Sequence, residues 1–281
     1  MFSPSITFAL FAMVLIGTGD TINKRARQAD IPIGSYLLIQ TLFFTCTILI
    51  IALISSGIQF YGADILYGFI GAVFSFTAFT LMLHSLTHGY ASTNYAIFRL
   101  SFVFSSLAAI IFLNESLSSG KGIGIIFAAF AILLFFYNPK QQISLKKSLF
   151  FAICAMILSA CFQITLKLAT RIYSSSPSFL LLMSLFFGGM VVIYNIFSGG
   201  FKIPRKTFLY APLNGVLMAL GSLFVITALS LGDVSLVTPI TQLSFLITVI
   251  LAIALLKEKI NIFQISGVIC AAIAILILGR L

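Results

Sequence analysis

Apolar residues run in long unbroken stretches along this chain, without the strict alternation that marks a half-buried strand. Ten stretches stand out, at about 6–22, 33–54, 64–84, 90–113, 120–137, 148–169, 177–197, 208–230, 234–256 and 261–279. Each approaches the roughly 17–25 residues that an α-helix needs to cross a bilayer. In lipid every backbone amide and carbonyl must be satisfied within the segment or in a closed barrel, so continuous apolar runs predict helices. Composition agrees: of 281 residues, 60% are apolar and 8% charged, with a mean hydropathy of +1.18. A soluble domain of this size has no core large enough to hide that much apolar surface. The pattern predicts an all-α integral membrane protein of ten transmembrane helices, with the lipid bilayer as its surroundings.

The ten stretches fall into two related sets. A shift of 143 residues lays His84-Ser85-Leu86-Thr87-His88-Gly89 on Thr227-Ala228-Leu229-Ser230-Leu231-Gly232. The same shift lays Arg99-Leu100-Ser101-Phe102 on Gln242-Leu243-Ser244-Phe245, and pairs Ser92 with Ser235, Glu115 with Glu258, Gly124 with Gly267 and Lys24 with Lys167. Apolar matches mean little in such a sequence; matches of Gly, Ser, Glu and Lys mean more. A polar linker, Asn138-Pro139-Lys140-Gln141-Gln142 through Lys146-Lys147, divides residues 1–140 from 141–281. Five helices per half is an odd number, so the second half must enter the membrane from the opposite side. Two inverted five-helix repeats with a cavity at their interface are the usual plan of a secondary transporter.

The net charge of +10 is explained by Lys and Arg in loops rather than by nucleic acid. Lys24, Arg25, Arg27, Lys140, Lys146, Lys147, Lys202, Arg205, Lys206, Lys257 and Lys259 share one side of this topology, against Lys121, Lys167, Arg171 and Arg280 on the other. The bias of basic residues toward the cytoplasm then puts both termini outside. The first apolar run lacks a basic leader and a small-residue cleavage site, and reads as a retained helix. Cys46, Cys154, Cys161 and Cys270 all lie in apolar runs with no metal-ligand spacing, so no metal and no cofactor is expected.

Five-plus-five helices with a glutamate just after helices 4 and 9, each followed by a helix of small residues, resemble the EamA family of the drug/metabolite transporter superfamily. The carrying segments are Leu113-Asn114-Glu115-Ser116-Leu117 before Gly120-Lys121-Gly122-Ile123-Gly124, and Leu256-Lys257-Glu258-Lys259-Ile260 before Gly267-Val268. The resemblance covers essentially the whole chain. It implies a multi-pass carrier of the inner (cytoplasmic) membrane that moves small metabolites by alternating access through a central cavity. It also implies cytoplasmic termini, against the charge count.

Arg99 is the leading candidate for contact with a substrate. It lies about ten residues into helix 4, ~15 Å along its axis and near the bilayer middle. An arginine there costs roughly 2.5–3.5 kcal/mol on insertion scales. Either it grips an anionic group in bidentate fashion, or it is tied to backbone carbonyls or a buried acid; no acid is evident at that depth. Tyr95 lies one turn earlier on the same face, and Gln242 and Thr238 are the repeat mates of Arg99 and Tyr95. Asn94, Gln40, Asn214 and Gln163 are polar amides in apolar runs, and each reads as a cavity group or as interhelical glue. Tyr36 and Tyr90 are candidates for a cavity mouth. Asp20 with Lys24, and Gln163 with Lys167, repeat an i,i+4 spacing and are gate candidates, or else long side chains snorkelling to the interface. Glu115 and Glu258 read as structural carboxylates at the N-termini of the helices that follow them. Pro239 could kink helix 9. Stripes of small residues at Gly120, Gly124 and Ala128, and at Gly267 and Ala271, read as packing seams, within one molecule or in a homodimer.

With no mid-depth carboxylate apparent, the expectation is a facilitator or exchanger rather than a proton-coupled carrier. The substrate class is amino-acid-like, or otherwise anionic or zwitterionic; the alternative is a flippase for a lipid-linked polar headgroup. No metalloprotease or nucleophile-elbow motif is present, so an enzyme is not expected.

Overall fold

A computed structural model describes residues 3–55, 57–88, 91–137, 146–172, 175–198, 201–256 and 261–280. Twelve helices make up the described chain: α1 (Pro4–Gln28), α2 (Ile33–Ser55), α3 (Gly62–His88), α4 (Ala91–Arg99), α5 (Ser101–Phe112), α6 (Ser119–Phe136), α7 (Lys146–Ala169), α8 (Ser176–Phe197), α9 (Thr207–Leu231), α10 (Val234–Gln242), α11 (Phe245–Leu256) and α12 (Ile262–Leu278). Among the described residues no strand occurs, and eight helical spans are long and apolar enough to cross a membrane. Val234–Thr248 and Ile262–Leu278 are shorter apolar helices.

The ten apolar stretches therefore become twelve helices, because the fourth and the ninth are each broken. Leu100 N is shared between the carbonyls of Ala96 (3.2 Å) and Ile97 (3.1 Å), and Val103 N reaches only to Leu100 O (3.0 Å). At the equivalent place Leu243 N is shared between Pro239 O (3.2 Å) and Ile240 O (3.1 Å), and Ser244 N bonds Thr241 O (3.2 Å). Both spans tighten for one turn into 3₁₀ geometry, which in mid-helix often marks a hinge. Neither break holds a glycine or proline. Pro239 lies within α10, three residues short of the helix end, so the break is not at the proline.

The packing is reciprocal between the halves. α1 lies on α9 as α7 lies on α3, α1 meets α10 and α11 as α7 meets α4 and α5, and α2 packs on α9 as α8 packs on α3. The repeat shift exchanges the members of each comparison, and the self-mated pairs α2–α8 and α6–α12 complete the set. Phe102, Phe179 and Phe245 are fully buried at these seams, whereas Ile54 and Phe197 are more than 80% exposed on the outer surface. α6 and α12 are joined by their small residues: a Cβ on Gly124 would stand 2.5 Å from Leu278 Cδ2, and Gly267 abuts Ala131 and Phe135. Both stripes are used within one molecule, so they no longer argue for a homodimer.

Candidate functional site

The two broken turns meet. Leu246 N takes Leu243 O, so the carbonyl of Gln242 is released from its usual helical partner. Arg99, at the end of α4, fills that vacancy. Its Nη1 donates to Gln242 O (2.9 Å) and to Ser244 Oγ (2.9 Å), and its Nη2 donates to Asp20 Oδ2 (2.5 Å). The Arg99 side chain is 11% exposed and that of Asp20 27%. Nε of Arg99 is buried and has no hydrogen-bond partner. α1 is pressed against the break, since a Cβ on Gly17 would stand 2.3 Å from Ser244 O.

Two expectations are corrected here. An acid does lie at the depth of Arg99, and Asp20 pairs with that arginine. The gate proposed from Asp20 and Lys24 placed Asp20 at the end of helix 1, because the apolar run stops near residue 22. α1 continues to Gln28, which leaves Asp20 about 12 Å inside the helix end. The side chain of Lys24 lies outside the described residues.

Two cavities flank Arg99. The first, of about 210 Å³, is lined by Asp20, Asn23, Tyr36, Phe79, Tyr95 and Phe98 among others. The second, of about 170 Å³, is lined by Ser159, Gln163, Leu180, Ser222, Thr238 and Thr241 among others. Ile16, Arg99 and Gln242 belong to both linings and form the shared wall. The repeat shift carries Asp20 to Gln163, Phe79 to Ser222, Tyr95 to Thr238, Phe98 to Thr241 and Arg99 to Gln242. The cavities are thus repeat mates: the polar groups peculiar to the first are Asp20, Asn23, Tyr36 and Tyr95, and those peculiar to the second are hydroxyls and the amide of Gln163.

The serines after the breaks tie the halves together. Ser244 Oγ lies 3.4 Å from Asp20 Oδ2. Its mate Ser101 accepts from Gln163 Nε2 (3.0 Å) and from Ser159 Oγ (3.3 Å). Gln163 Oε1 accepts from Ser105 Oγ (2.7 Å), which also lies 3.3 Å from Thr238 Oγ1. Gln163 is therefore a wall residue of the second cavity.

The other predicted residues divide. Gln242, Tyr95 and Thr238 line the cavities. Asn214 is fully buried behind the first cavity, where its Nδ2 donates to Asn23 Oδ1 (2.8 Å) and Tyr36 OH (2.7 Å). Asn94 does not reach either cavity. Its Nδ2 bonds Ser85 O (2.8 Å) and Ser148 Oγ (2.9 Å), making a joint between α3, α4 and α7. Gln40 also lies outside both linings, and its Oε1 is buried without a partner. Lys167 caps the end of α9, donating to Leu229 O (2.6 Å) and Gly232 O (2.7 Å).

Glu115 does sit at a helix N-terminus, but not that of the helix that follows it. Its carboxylate accepts from Val234 N (2.7 Å), Ser235 N (3.0 Å) and Ser235 Oγ (2.6 Å), and so caps α10 in the other half. Ser118 caps α6 instead, accepting from Lys121 N (3.2 Å). Glu258 and Tyr90 lie outside the described residues. Sequence reasoning missed Asn23, Ser159, Ser222, Thr241 and the role of Ser101 and Ser244. The Ser101–Ser244 match was the available signal, an identical polar pair beside the most polar position of each repeat.

Among the described residues, no group of three or more His, Cys, Asp or Glu side chains could hold a metal ion. The EamA-like transporter family model matches residues 3–137 and again 146–280. An uncharacterised protein of Methanocaldococcus jannaschii is 36% identical over 75 residues, covering 27% of this chain and 55% of that protein. An uncharacterised transporter in the cobO 3′ region of Sinorhizobium sp. is 34% identical over 78 residues, covering 28% of this chain and 55% of that protein. The chain thus spans about half the length of these curated relatives. It also superposes on a protein of known crystal structure with a TM-score of 0.85, covering 100% of this chain and 99% of the other at 10% identity. That likeness concerns the fold alone.

Proposed function

Because this multi-pass membrane protein belongs to the EamA-like transporter family, we propose that it is a secondary transporter of a small polar metabolite, working by alternating access in the cytoplasmic membrane. Its two repeats, divided near residue 140, are threaded oppositely through the bilayer, and the reciprocal packing of α1 on α9 and α7 on α3 supports that reading. One observation carries the proposal: two mated cavities share a wall of Arg99 and Gln242 where both broken helices meet. Discontinuous helices at the midplane repeat interface are where such carriers bind substrate.

The chemistry of that wall narrows the solute. Arg99 and Asp20 neutralise each other at 2.5 Å, so this pair brings no net charge to the chamber. A plain anion would gain Arg99 only by leaving Asp20 uncompensated. A zwitterionic, amino-acid-like solute leaves no such deficit, because its carboxylate takes Arg99 while its ammonium takes Asp20. Exchange of partners of equal charge disturbs the low-dielectric site least.

Facilitated diffusion or exchange remains the proposed mode, on changed ground. Asp20 supplies a carboxylate beside Arg99, where none was evident in the sequence, but its charge is matched by that arginine. A thermal-shift screen of the detergent-solubilised protein against metabolites identifies the solute through mass-action stabilisation. Proteoliposomes then test the mode. An imposed pH gradient is expected to leave the solute at equal concentration on both sides, and uphill accumulation driven by that gradient would refute the facilitator reading.

A further inference from the structure

We propose that the turn between α9 and α10 is the gate of the second cavity, with Glu115 as the residue that holds it shut. This rests on the alternating-access reading above. The turn is seized from three directions by charged side chains of other elements. Glu115 covers the N-terminus of α10 with three accepted hydrogen bonds. Lys167 of α7 covers the C-terminal carbonyls of α9 at Leu229 and Gly232. Lys121 of α6 pairs with Asp233 in the middle of the turn (2.5 Å) and also donates to Ser116 O (2.9 Å). Asn114, at φ 55° in the left-handed region that asparagine tolerates, turns the chain just before Glu115.

The position of the turn makes it a closure. Leu229, at its start, lines the second cavity, as do Thr238 and Thr241 on α10 beyond it. Leu231 and the Asp233 side chain, within the turn itself, are exposed, whereas Leu229 is fully buried. The turn therefore stands between the cavity and the outside.

The fastening joins the halves. Glu115 and Lys121 come from the first repeat, and the turn they hold comes from the second. A rocking of one repeat against the other must release them. A purely apolar seam would serve a fixed joint at least as well, since buried charged contacts often add little net stability. Charged contacts instead offer discrete bound and unbound states, as a two-state element requires.

The test is accessibility, which needs no substrate. Val225 lines the second cavity. In a background with Cys46, Cys154, Cys161 and Cys270 replaced by serine, Val225→Cys is labelled with a membrane-impermeant methanethiosulfonate from either face of sealed vesicles. Removing the Glu115 charge with Glu115→Gln is expected to raise labelling about tenfold from the face bearing the α9–α10 turn, a shift typical of losing charged hydrogen bonds. Labelling from the opposite face should not rise. Lys121→Met, which keeps the buried stem, should act in the same direction and serves if Glu115→Gln does not fold. An unchanged rate from both faces in a folded variant overturns the gate, as does an equal rise from both. Failure here leaves the carrier reading standing, because that reading fails only when no solute moves through the unaltered protein.

Discussion

Asp20 lines the first cavity where its mate Gln163 lines the second, while Arg99 and its mate Gln242 stand in the wall that both cavities share. Ser244 approaches Asp20 as Ser101 approaches Gln163, each crossing from one half to the other. The ion pair of Asp20 and Arg99 thus has two uncharged amides, Gln163 and Gln242, as its repeat mates. At the α4–α5 break the neutral side chains of Gln163 and Ser159 hold Ser101. A neutral side chain meets the structural need at one break, so the charge of the pair at the other is what the proposed recognition of a charged solute would use.

That comparison is broken most severely by removing one charge. Arg99→Gln leaves Asp20 largely buried beside a neutral amide, and Asp20→Gln leaves Arg99 without its acid. Each single change is expected to lower stability by about 2–3 kcal/mol, below the range for a fully buried pair, because Asp20 is partly exposed and Arg99 keeps its bonds to Gln242 and Ser244. The double variant copies the second repeat into the first, and most of that loss should be recovered. A thermal-unfolding double-mutant cycle checks this, and additive losses would mean that the two residues act independently.

A smaller effect is expected at Asn94, whose mate is Val237. Asn94→Val carries the apolar residue of the second repeat into the first and strips the amide from Ser85 O and Ser148. A loss of about 1–3 kcal/mol in stability should follow from the unpaired polar groups. The KM for the solute should stay unchanged, because Asn94 is outside both cavities. A raised KM at unaltered stability would return Asn94 to the binding site.

The smallest effect is expected at Gln40, whose mate Met183 lines the second cavity. Gln40→Met removes an amide oxygen that has no partner, so its stability should stay within about 0.5 kcal/mol of the parent or rise. A large loss measured by denaturation would show that the amide has a partner in the membrane.

The membrane class, the helical character of the ten apolar stretches and the duplication were legible in the sequence, because lipid permits few solutions and each leaves a long apolar run. The breaks were not legible. Leu100-Ser101 and Leu243-Ser244 contain no helix breaker, and the apolar run passes through them without interruption. What favours the broken geometry is tertiary: α1 lies against Ser244 O at Gly17, and Arg99 takes the carbonyl that Gln242 gives up. Asp20 as the partner of Arg99 was hidden for a related reason. The two are 79 residues apart, and the apolar run understated the length of α1. Glu115 was recognised as a helix-capping carboxylate, but only the packing of the halves reveals that the helix it caps is α10.

The account depends on the mixed wall between the cavities being where the solute binds. Counterflow in proteoliposomes tests this directly, comparing the unaltered protein with the Asp20→Gln/Arg99→Gln double variant at equal amounts of folded protein. The solute that stabilises the unaltered protein should exchange through it, while the double variant should show no exchange above that of empty liposomes. Exchange by the double variant at the parent rate would mean that the charged pair serves the fold and not the cargo.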